Sequence, residues 1–338
     1  MLLFVGQALR CPICNRRVKP CPGLEKQAKR HARLNQLRHA SAVVSCAVPK
    51  FSWCLVLIVL ASALHPRGVI AADNGSPQIR ATFWNIQWFP GRHPNASARN
   101  EQTQINSVRR DIAGINPDIL GMEEVRDFSN ATLAISPLPG FKVDVISNFP
   151  PREGQHVGQQ VAIASRLQPM SAWVELWKAA GPLTPSRGFA FAAYEITPGK
   201  LLLVYAVHLK SNRGQLVEDI AIREECARQL REHMEAMSGA YGKLGALSWI
   251  VGGDFNTAPD EGRFANEKTT RYLTEMGFKW CWQNIPFAQR ISLPGQKLYP
   301  AACFDHIFYR NAKLVSARVV PTSPQSSDHR PVVADLAF

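Results

Sequence analysis

The sequence predicts an α/β domain over residues 73–338, built as two packed sheets with helices outside them. Three observations lead there. Short apolar runs, rich in β-branched and aromatic residues, alternate with segments of helical period. The runs give way to loop at Asn85, Glu124, His208, Asp254 and Asp328-His329, so polar side chains collect where strands end. No internal repeat or long low-complexity stretch breaks the alternation.

The elements follow in order along the chain. Ala81–Trp84 is a strand ending at Asn85, and a loop rich in Pro, Gly, Arg and Asn runs from Pro90 to Asn100. Ile105, Val108, Ile112 and Ile115 recur at steps of three and four and mark an amphipathic helix, stopped by Asn116-Pro117. Ile119–Met122 is the next buried strand and delivers Glu123 and Glu124 at its end. Further strands are expected at Lys142–Ile146, Val161–Ser165, Phe189–Glu195 and Leu201–Val207, the last ending at His208. Glu218–Met237 has a helical period with Ile220, Cys226 and Leu230 facing inward. Trp249–Val251 feeds Gly253-Asp254, Ile307–Tyr309 follows Asp305, and strands at Val315–Val319 and Val332–Leu336 complete the body.

The formal net charge of +13 suggests a polyanion binder until it is divided along the chain. Residues 1–72 hold 11 Lys/Arg and one acid, Glu25, whereas residues 73–338 hold 28 Lys/Arg and 25 Asp/Glu. The basicity belongs to the front, and global charge says little about the substrate of the body. Within the front, Phe51–Leu64 is uncharged, Lys50 precedes it, and small residues follow at Ala61-Ser62-Ala63 and Ala71-Ala72. That is the layout of a secretory signal peptide over residues 48–72. The run is short for a membrane span, which takes about 20 residues. The expectation is therefore export to the periplasm or outside the cell, with residues 51–64 serving as an anchor if cleavage fails. Residues 1–47 read as a basic leader, disordered or upstream of the true start; Cys11, Cys14 and Cys21 fall short of the four ligands a closed zinc site wants. In the body only Cys226, Cys281 and Cys303 remain, and Cys281 with Cys303 is the first disulfide to test in an exported protein.

Two segments carry the chemistry: Gly252-Gly253-Asp254-Phe255-Asn256 and Ser326-Ser327-Asp328-His329-Arg330-Pro331. They supply hard oxygen ligands and a titratable base, the parts needed for metal-assisted attack on a phosphate ester. With Trp84-Asn85, Met122-Glu123-Glu124-Val125, His208-Leu209-Lys210-Ser211 and Phe304-Asp305-His306-Ile307, they make six motifs in one order. In these motifs the body from Arg80 to Leu336 resembles the endonuclease/exonuclease/phosphatase superfamily. The resemblance implies a four-layered α/β sandwich, two mixed sheets flanked by helices, and divalent-metal-dependent hydrolysis of phosphate esters.

Carried over by position, the resemblance implies that Asn85, Glu124 and Asp328 bind the metal, with Mg²⁺ expected and Mn²⁺ as a substitute. It makes Asp254 and Asn256 the pair that positions the nucleophile and contacts the phosphate. His329 resembles the catalytic histidine, Asp305 the carboxylate that orients it, and His208 the group that protonates the leaving oxygen. Glu123, where the family more often has Gln, is the alternative to Glu124 and would bring extra charge. His306 is expected to be a packed core residue rather than a catalyst. Arg187 is a candidate phosphate clamp or a surface arginine. Lys210 and Arg213 either touch an extended anion or are solvated, and Trp88 and Phe89 either stack on a base or pack the loop.

The function expected is hydrolysis of phosphodiesters in nucleic acid, by a monomer with no stable protein partner. The alternatives are a phosphodiesterase or phosphatase acting on phospholipid or a small phosphate ester, and a non-catalytic binding module of the same fold.

Overall fold

The computed structural model describes residues 77–151, 158–297 and 299–338. The leader and signal segments expected at 1–47 and 48–72 lie outside the described residues. Among those described, no helix is long and apolar enough to cross a membrane.

The elements run β1 (Gln78–Phe89), α1 (Ala98–Ile115), β2 (Ile119–Val125), α2 (Phe128–Ile135), β3 (Lys142–Ile146), β4 (Gln160–Ser165) and β5 (Pro169–Leu176). Then come β6 (Gly188–Thr197), β7 (Lys200–His208), α3 (Leu216–Tyr241), β8 (Ala246–Asp254), α4 (Arg271–Glu275), β9 (Lys279–Trp280), β10 (Asp305–Arg310), β11 (Lys313–Val319) and β12 (Val332–Ala337). The strands form two six-stranded sheets, ordered β11-β12-β1-β2-β4-β3 and β5-β6-β7-β8-β10-β9. Both are mixed: β1 runs parallel to β2 and β7 parallel to β8, while their other neighbours are antiparallel.

Three apolar clusters explain the layering. Alternate residues of the strands face opposite ways, so one side of each sheet meets the other sheet. Phe83, Ile119 and Ile163 meet Ala192, Val204, Ile250 and Ile307 between the sheets. The ring of Phe83 fills the space above two glycines, and a Cβ at Gly121 or Gly252 would lie 2.2 or 2.3 Å from it. On the outside of the first sheet, Trp84, Leu120 and Met122 pack against Val108 and Ile112 of α1 and Ala131 and Ala134 of α2. On the outside of the second, Leu203, Tyr205 and Val251 pack against Cys226, Leu230 and Met234 of α3 and Leu273 of α4. Helix, sheet, sheet, helix is the four-layered sandwich expected.

Several elements were not anticipated. Helix α2 is only 8 residues long and is N-capped by Asp127, whose side chain accepts from Asn130 N. Strand β5 begins at Pro169 and is only half-buried along most of its length, as suits an edge strand. Strand β1 does not end at Asn85. It shifts register there and pairs again at Phe89 with Val125, with Gln87 and Trp88 at φ 45° and 50°. The three body cysteines are free and buried, so the Cys281–Cys303 disulfide is not formed.

Candidate active site

Two backbone irregularities and three strand ends assemble the site. β1 bulges after Asn85 and β2 bulges at Glu124, which sits at φ 60°. The bulge turns Glu124 away from Glu123, so neighbouring acids serve different environments. In the second sheet the register places His208 beside Asp254 and Asp254 beside Asp305. Three polar residues thus line up across the ends of β7, β8 and β10.

Side-chain geometry joins these groups. Asn85 Nδ2 donates to Asp254 Oδ2 at 3.1 Å and to Glu124 Oε1 at 3.3 Å. Trp88 N donates to Glu124 Oε2 at 3.0 Å, and Gln87 N donates to Asn85 Oδ1 at 3.0 Å, so the β1 bulge holds both side chains. His208 Nε2 lies 3.6 Å from Asp254 Oδ2 and 3.8 Å from Glu124 Oε1. His329 Nε2 lies 3.9 Å from the same Asp254 oxygen, while its Nδ1 bonds Asp305 Oδ2 at 2.8 Å. Asp254 Oδ1 accepts from Asn256 N at 2.9 Å. The His329 backbone is fixed as well: its N–H donates to Ser327 Oγ at 3.0 Å, and its carbonyl accepts from the Trp84 indole at 2.9 Å.

Burial and neighbouring charge set the protonation states. Burial works against a charged His329 ring, but Asp305 and Asp254 outweigh it and hold its pKa well above 6.5. Burial raises the pKa of Asp254, Asp305 adds to the rise, and His329 opposes it. Glu123 is fully buried between the sheets, and among the described residues neither carboxylate oxygen has a hydrogen-bond partner. Burial first, then Asp305 and Asp254, push its pKa well up. Burial and the neighbouring carboxylates thus favour the protonated form of Glu123 over the extra charge expected at this position.

A cavity of about 460 Å³ opens over these groups, lined by Asn85, Glu124, Arg187, His208, Asp254, Asn256, Asp328 and His329 among others. Asp305 stands behind His329 rather than in the lining. Asp328 is half-buried and only grazes Ser327 Oγ, at 3.5 Å, so it faces the cavity without joining the Asn85–Glu124–Asp254 knot. Arg187 donates to Gln159 Oε1 at 3.0 Å and to the Leu209 carbonyl at 2.8 Å. Phe89 is fully buried and packs the loop, whereas Trp88 lines the cavity. Arg213 lines it too, but Lys210 is held in an ion pair with Asp219 at 2.5 Å. His306 is wholly buried: its Nε2 meets the Thr257 carbonyl at 2.8 Å and its Nδ1 accepts from Trp280 at 3.1 Å. Burial lowers its pKa to about 4, so it is a neutral packing residue.

A metal ion fits the donor chemistry. Asp254, Asp305 and His329 place ligand atoms within 4.8 Å of one another. The 2.8 Å bond between His329 and Asp305 already engages two of those atoms. The Glu124 and Asp254 oxygens around Asn85 form a second, oxygen-rich set, which suits a hard divalent cation.

A buried strut behind the site was not foreseen. Arg223 of α3 forms a paired salt bridge with Glu267, both bonds at 2.8 Å, with side chains 0% and 2% exposed. Its Nη1 donates to the Lys210 carbonyl at 2.9 Å and to Asn212 Oδ1 at 2.8 Å. Asn212 Nδ2 donates to the Asn256 carbonyl at 2.7 Å, and Asn256 Nδ2 donates to the Leu209 carbonyl at 3.2 Å. The helix is thereby tied to the loops after His208 and Asp254. One signal was available: Asp219 and Arg223 continue the inward stripe of Cys226, Leu230 and Met234.

The sequence matches the model of the Endonuclease/Exonuclease/phosphatase family over residues 82–329. No curated protein matches the chain. Among solved structures, the human Nocturnin catalytic domain with bound sulfate anion superposes with TM-score 0.58 at 17% identity, covering 78% of this chain and 94% of that one. An endonuclease/exonuclease/phosphatase from Beutenbergia cavernae gives 0.57 at 16%, covering 77% and 72%. D. rerio TDP2 complexed with single strand DNA product gives 0.56 at 15%, covering 77% and 99%. At these identities the structures speak for the fold alone. The sequence match takes in strands of both sheets and every residue of the polar knot, and the chain belongs to the endonuclease/exonuclease/phosphatase family, whose members are hydrolytic phosphoesterases.

Proposed function

We propose that the chain hydrolyses phosphodiester bonds of nucleic acid, with Mg²⁺ or Mn²⁺ held at the Asn85–Glu124–Asp254 knot, chiefly by Glu124, and with Asp328 of the same cavity lining as the further ligand that the resemblance implies. The observation that carries this reading is Asp254 set between His329 and His208, at 3.9 and 3.6 Å, on the floor of an arginine-lined cavity. Family members are generally divalent-metal dependent. When bound, the cation would neutralise a non-bridging phosphate oxygen and lower the repulsion met by incoming hydroxide.

The protein's own groups do the rest. Asp254, held by Asn85 and by Asn256 N, orients the attacking water and accepts its proton as the new P–O bond forms. His329 is held by Asp305 through Nδ1, which leaves Nε2–H aimed at the cavity; as imidazolium it stabilises charge gathering on the phosphoryl oxygens. His208 Nε2 gives a proton to the leaving oxygen as the old P–O bond breaks. Asn256 adds an uncharged amide for a phosphate oxygen, and Arg187 adds a cation.

The test is a panel of plasmid DNA, single-stranded oligonucleotides, sphingomyelin and phosphomonoesters, each with EDTA and with Mg²⁺ or Mn²⁺ restored. Cleavage of nucleic acid that EDTA silences and Mg²⁺ restores is expected. Hydrolysis indifferent to chelation, or confined to lipid or monoester, refutes the proposal.

A further inference from the structure

We infer that one flank of the cavity is a ring-stacking subsite, built on Tyr299 and Arg263, that takes an unpaired nucleobase of the substrate. This rests on the nucleic-acid reading and narrows it to strands whose base faces are free.

The subsite is built from the segment that leads into Asp305. Leu293 bridges Ala302 and Gln296 bridges Tyr299, so the segment folds back on itself. Backbone bonds hold both pairs, at 3.0 and 2.9 Å for the first and 2.8 and 3.1 Å for the second. The fold-back contributes Leu293, Pro294, Gln296, Tyr299 and Pro300 to the same lining as Asp254 and His329. Tyr299 is 66% exposed, an aromatic side chain that the core does not use.

Arg263 supplies the second flat surface. Its guanidinium lies 4.6 Å from the ring centre of Phe264 and 5.6 Å from that of Phe304. Glu261 fixes it further, accepting from Nε at 3.0 Å. Phe304 and Phe264 meet edge to face at 6.0 Å, so the platform beneath the arginine is rigid.

Charge decides what this wall accepts. Aromatic faces bind both quaternary ammonium groups and flat heteroaromatic rings. A phosphocholine headgroup would bring its cation onto Tyr299 in a lining where Arg92, Arg187, Arg213 and Arg263 outnumber the acids Glu124, Asp254 and Asp328, and the excess of like charge disfavours it. A nucleobase is uncharged and stacks on both tyrosine and guanidinium faces, while its phosphates meet the arginines. A duplex keeps base faces inside its stack, so the subsite favours single strands and strand ends.

The test compares kcat/KM of the full chain on a single-stranded oligonucleotide and on an abasic strand of equal length and charge. The base-bearing strand is expected to win by roughly 5- to 100-fold, the range set by stacking of one base. Tyr299→Ala should collapse that ratio through KM, Tyr299→Trp should keep it, and Arg263→Gln should reduce it. Anisotropy binding of the same two strands in EDTA adds a readout that does not depend on cleavage. A base preference lost in Tyr299→Ala upholds the subsite even where no nuclease activity is found. Equal affinity for both strands, or a base preference untouched by Tyr299→Ala, overturns it even where nucleic acid is cut. Turnover of a phosphocholine diester that falls in Tyr299→Ala overturns it as well.

Discussion

Replacing Arg223 and Glu267 together by Met and Leu should separate catalysis from folding in this chain. Removing one partner alone strands a fully buried charge and costs about 3–5 kcal/mol of stability. Exchanging both for apolar residues of similar size removes both desolvation penalties at once and is often neutral or stabilising. The double variant also loses the two bonds from Arg223 Nη1 to Lys210 O and Asn212 Oδ1, at 2.9 and 2.8 Å, and the bond that Thr269 Oγ1 donates to Glu267 Oε1 at 2.6 Å. The first two acceptors are part-buried and can turn to water, a loss of about 1 kcal/mol each, whereas the buried Thr269 hydroxyl costs about 1–3 kcal/mol. The larger effect falls on geometry. Without Arg223, Asn212 no longer fixes the Asn256 carbonyl, and Asn256 N sits 2.9 Å from the Asp254 oxygen. A misplacement of about 1 Å at a reacting group costs on the order of 100-fold in rate. Thermal unfolding and steady-state kinetics on the same preparation read both quantities. We expect destabilisation of no more than about 5 kcal/mol, kcat reduced roughly 10- to 100-fold and KM little changed, with Asn212→Ala reproducing most of the kinetic loss. A double variant that folds normally and keeps wild-type kcat would show that the strut serves the fold alone.

Other outcomes follow from the same structure. Burial raises Asp144 to a pKa of about 6, despite bonds from Ser165 and Tyr194 at 2.6 and 2.7 Å. The unfolded value is about 3.9, so the folded state holds this proton more tightly. Stability is therefore full below that pH and falls as pH rises through 6. With partial solvent screening the loss is about 1–2 kcal/mol. Asp144→Asn should flatten this slope in urea unfolding at pH values on either side, and an unchanged slope would reject the assignment. His306→Phe should cost about 1–3 kcal/mol, because the Thr257 carbonyl loses its donor, while the pH profile of kcat stays in place; a shifted profile would make His306 part of the chemistry. Glu123→Gln keeps the shape and mimics the protonated form that burial favours, so kcat should stay close to wild type. A large loss would mean that a charge at this position matters.

Much of the architecture was legible because strands buried on both faces must be written in apolar residues, and Ile119–Met122, Leu201–Val207 and Trp249–Val251 are. The edge strand β5 was not, since Pro169 and Glu175 blur its pattern and half its surface meets solvent. Strand ends revealed Asp254 and His208 because catalytic groups sit where pairing stops, while Asp305 was reached through the resemblance of its motif. The bulges at Asn85 and Glu124 were invisible for the opposite reason: left-handed backbone usually announces itself with glycine, and here Gln87, Trp88 and Glu124 adopt it. Glu123 stayed open as the alternative to Glu124 because adjacent residues look alike in sequence, whereas the bulge gives them opposite surroundings. Arg223 was lost among the many charges of α3, although its spacing marked it as inward. Tyr299 was hidden by distance, since only the fold-back brings its segment to the cavity.

The most direct test of the central claim is single-turnover cleavage of an oligonucleotide by Asp254→Ala, His329→Ala and the variant carrying both. If these residues act as one unit on one phosphodiester, each single change should lower the rate by about 1,000-fold or more, and the pair should be little worse than either alone. Independent losses that multiply, or a single variant that retains more than about a tenth of the wild-type rate, would contradict the account.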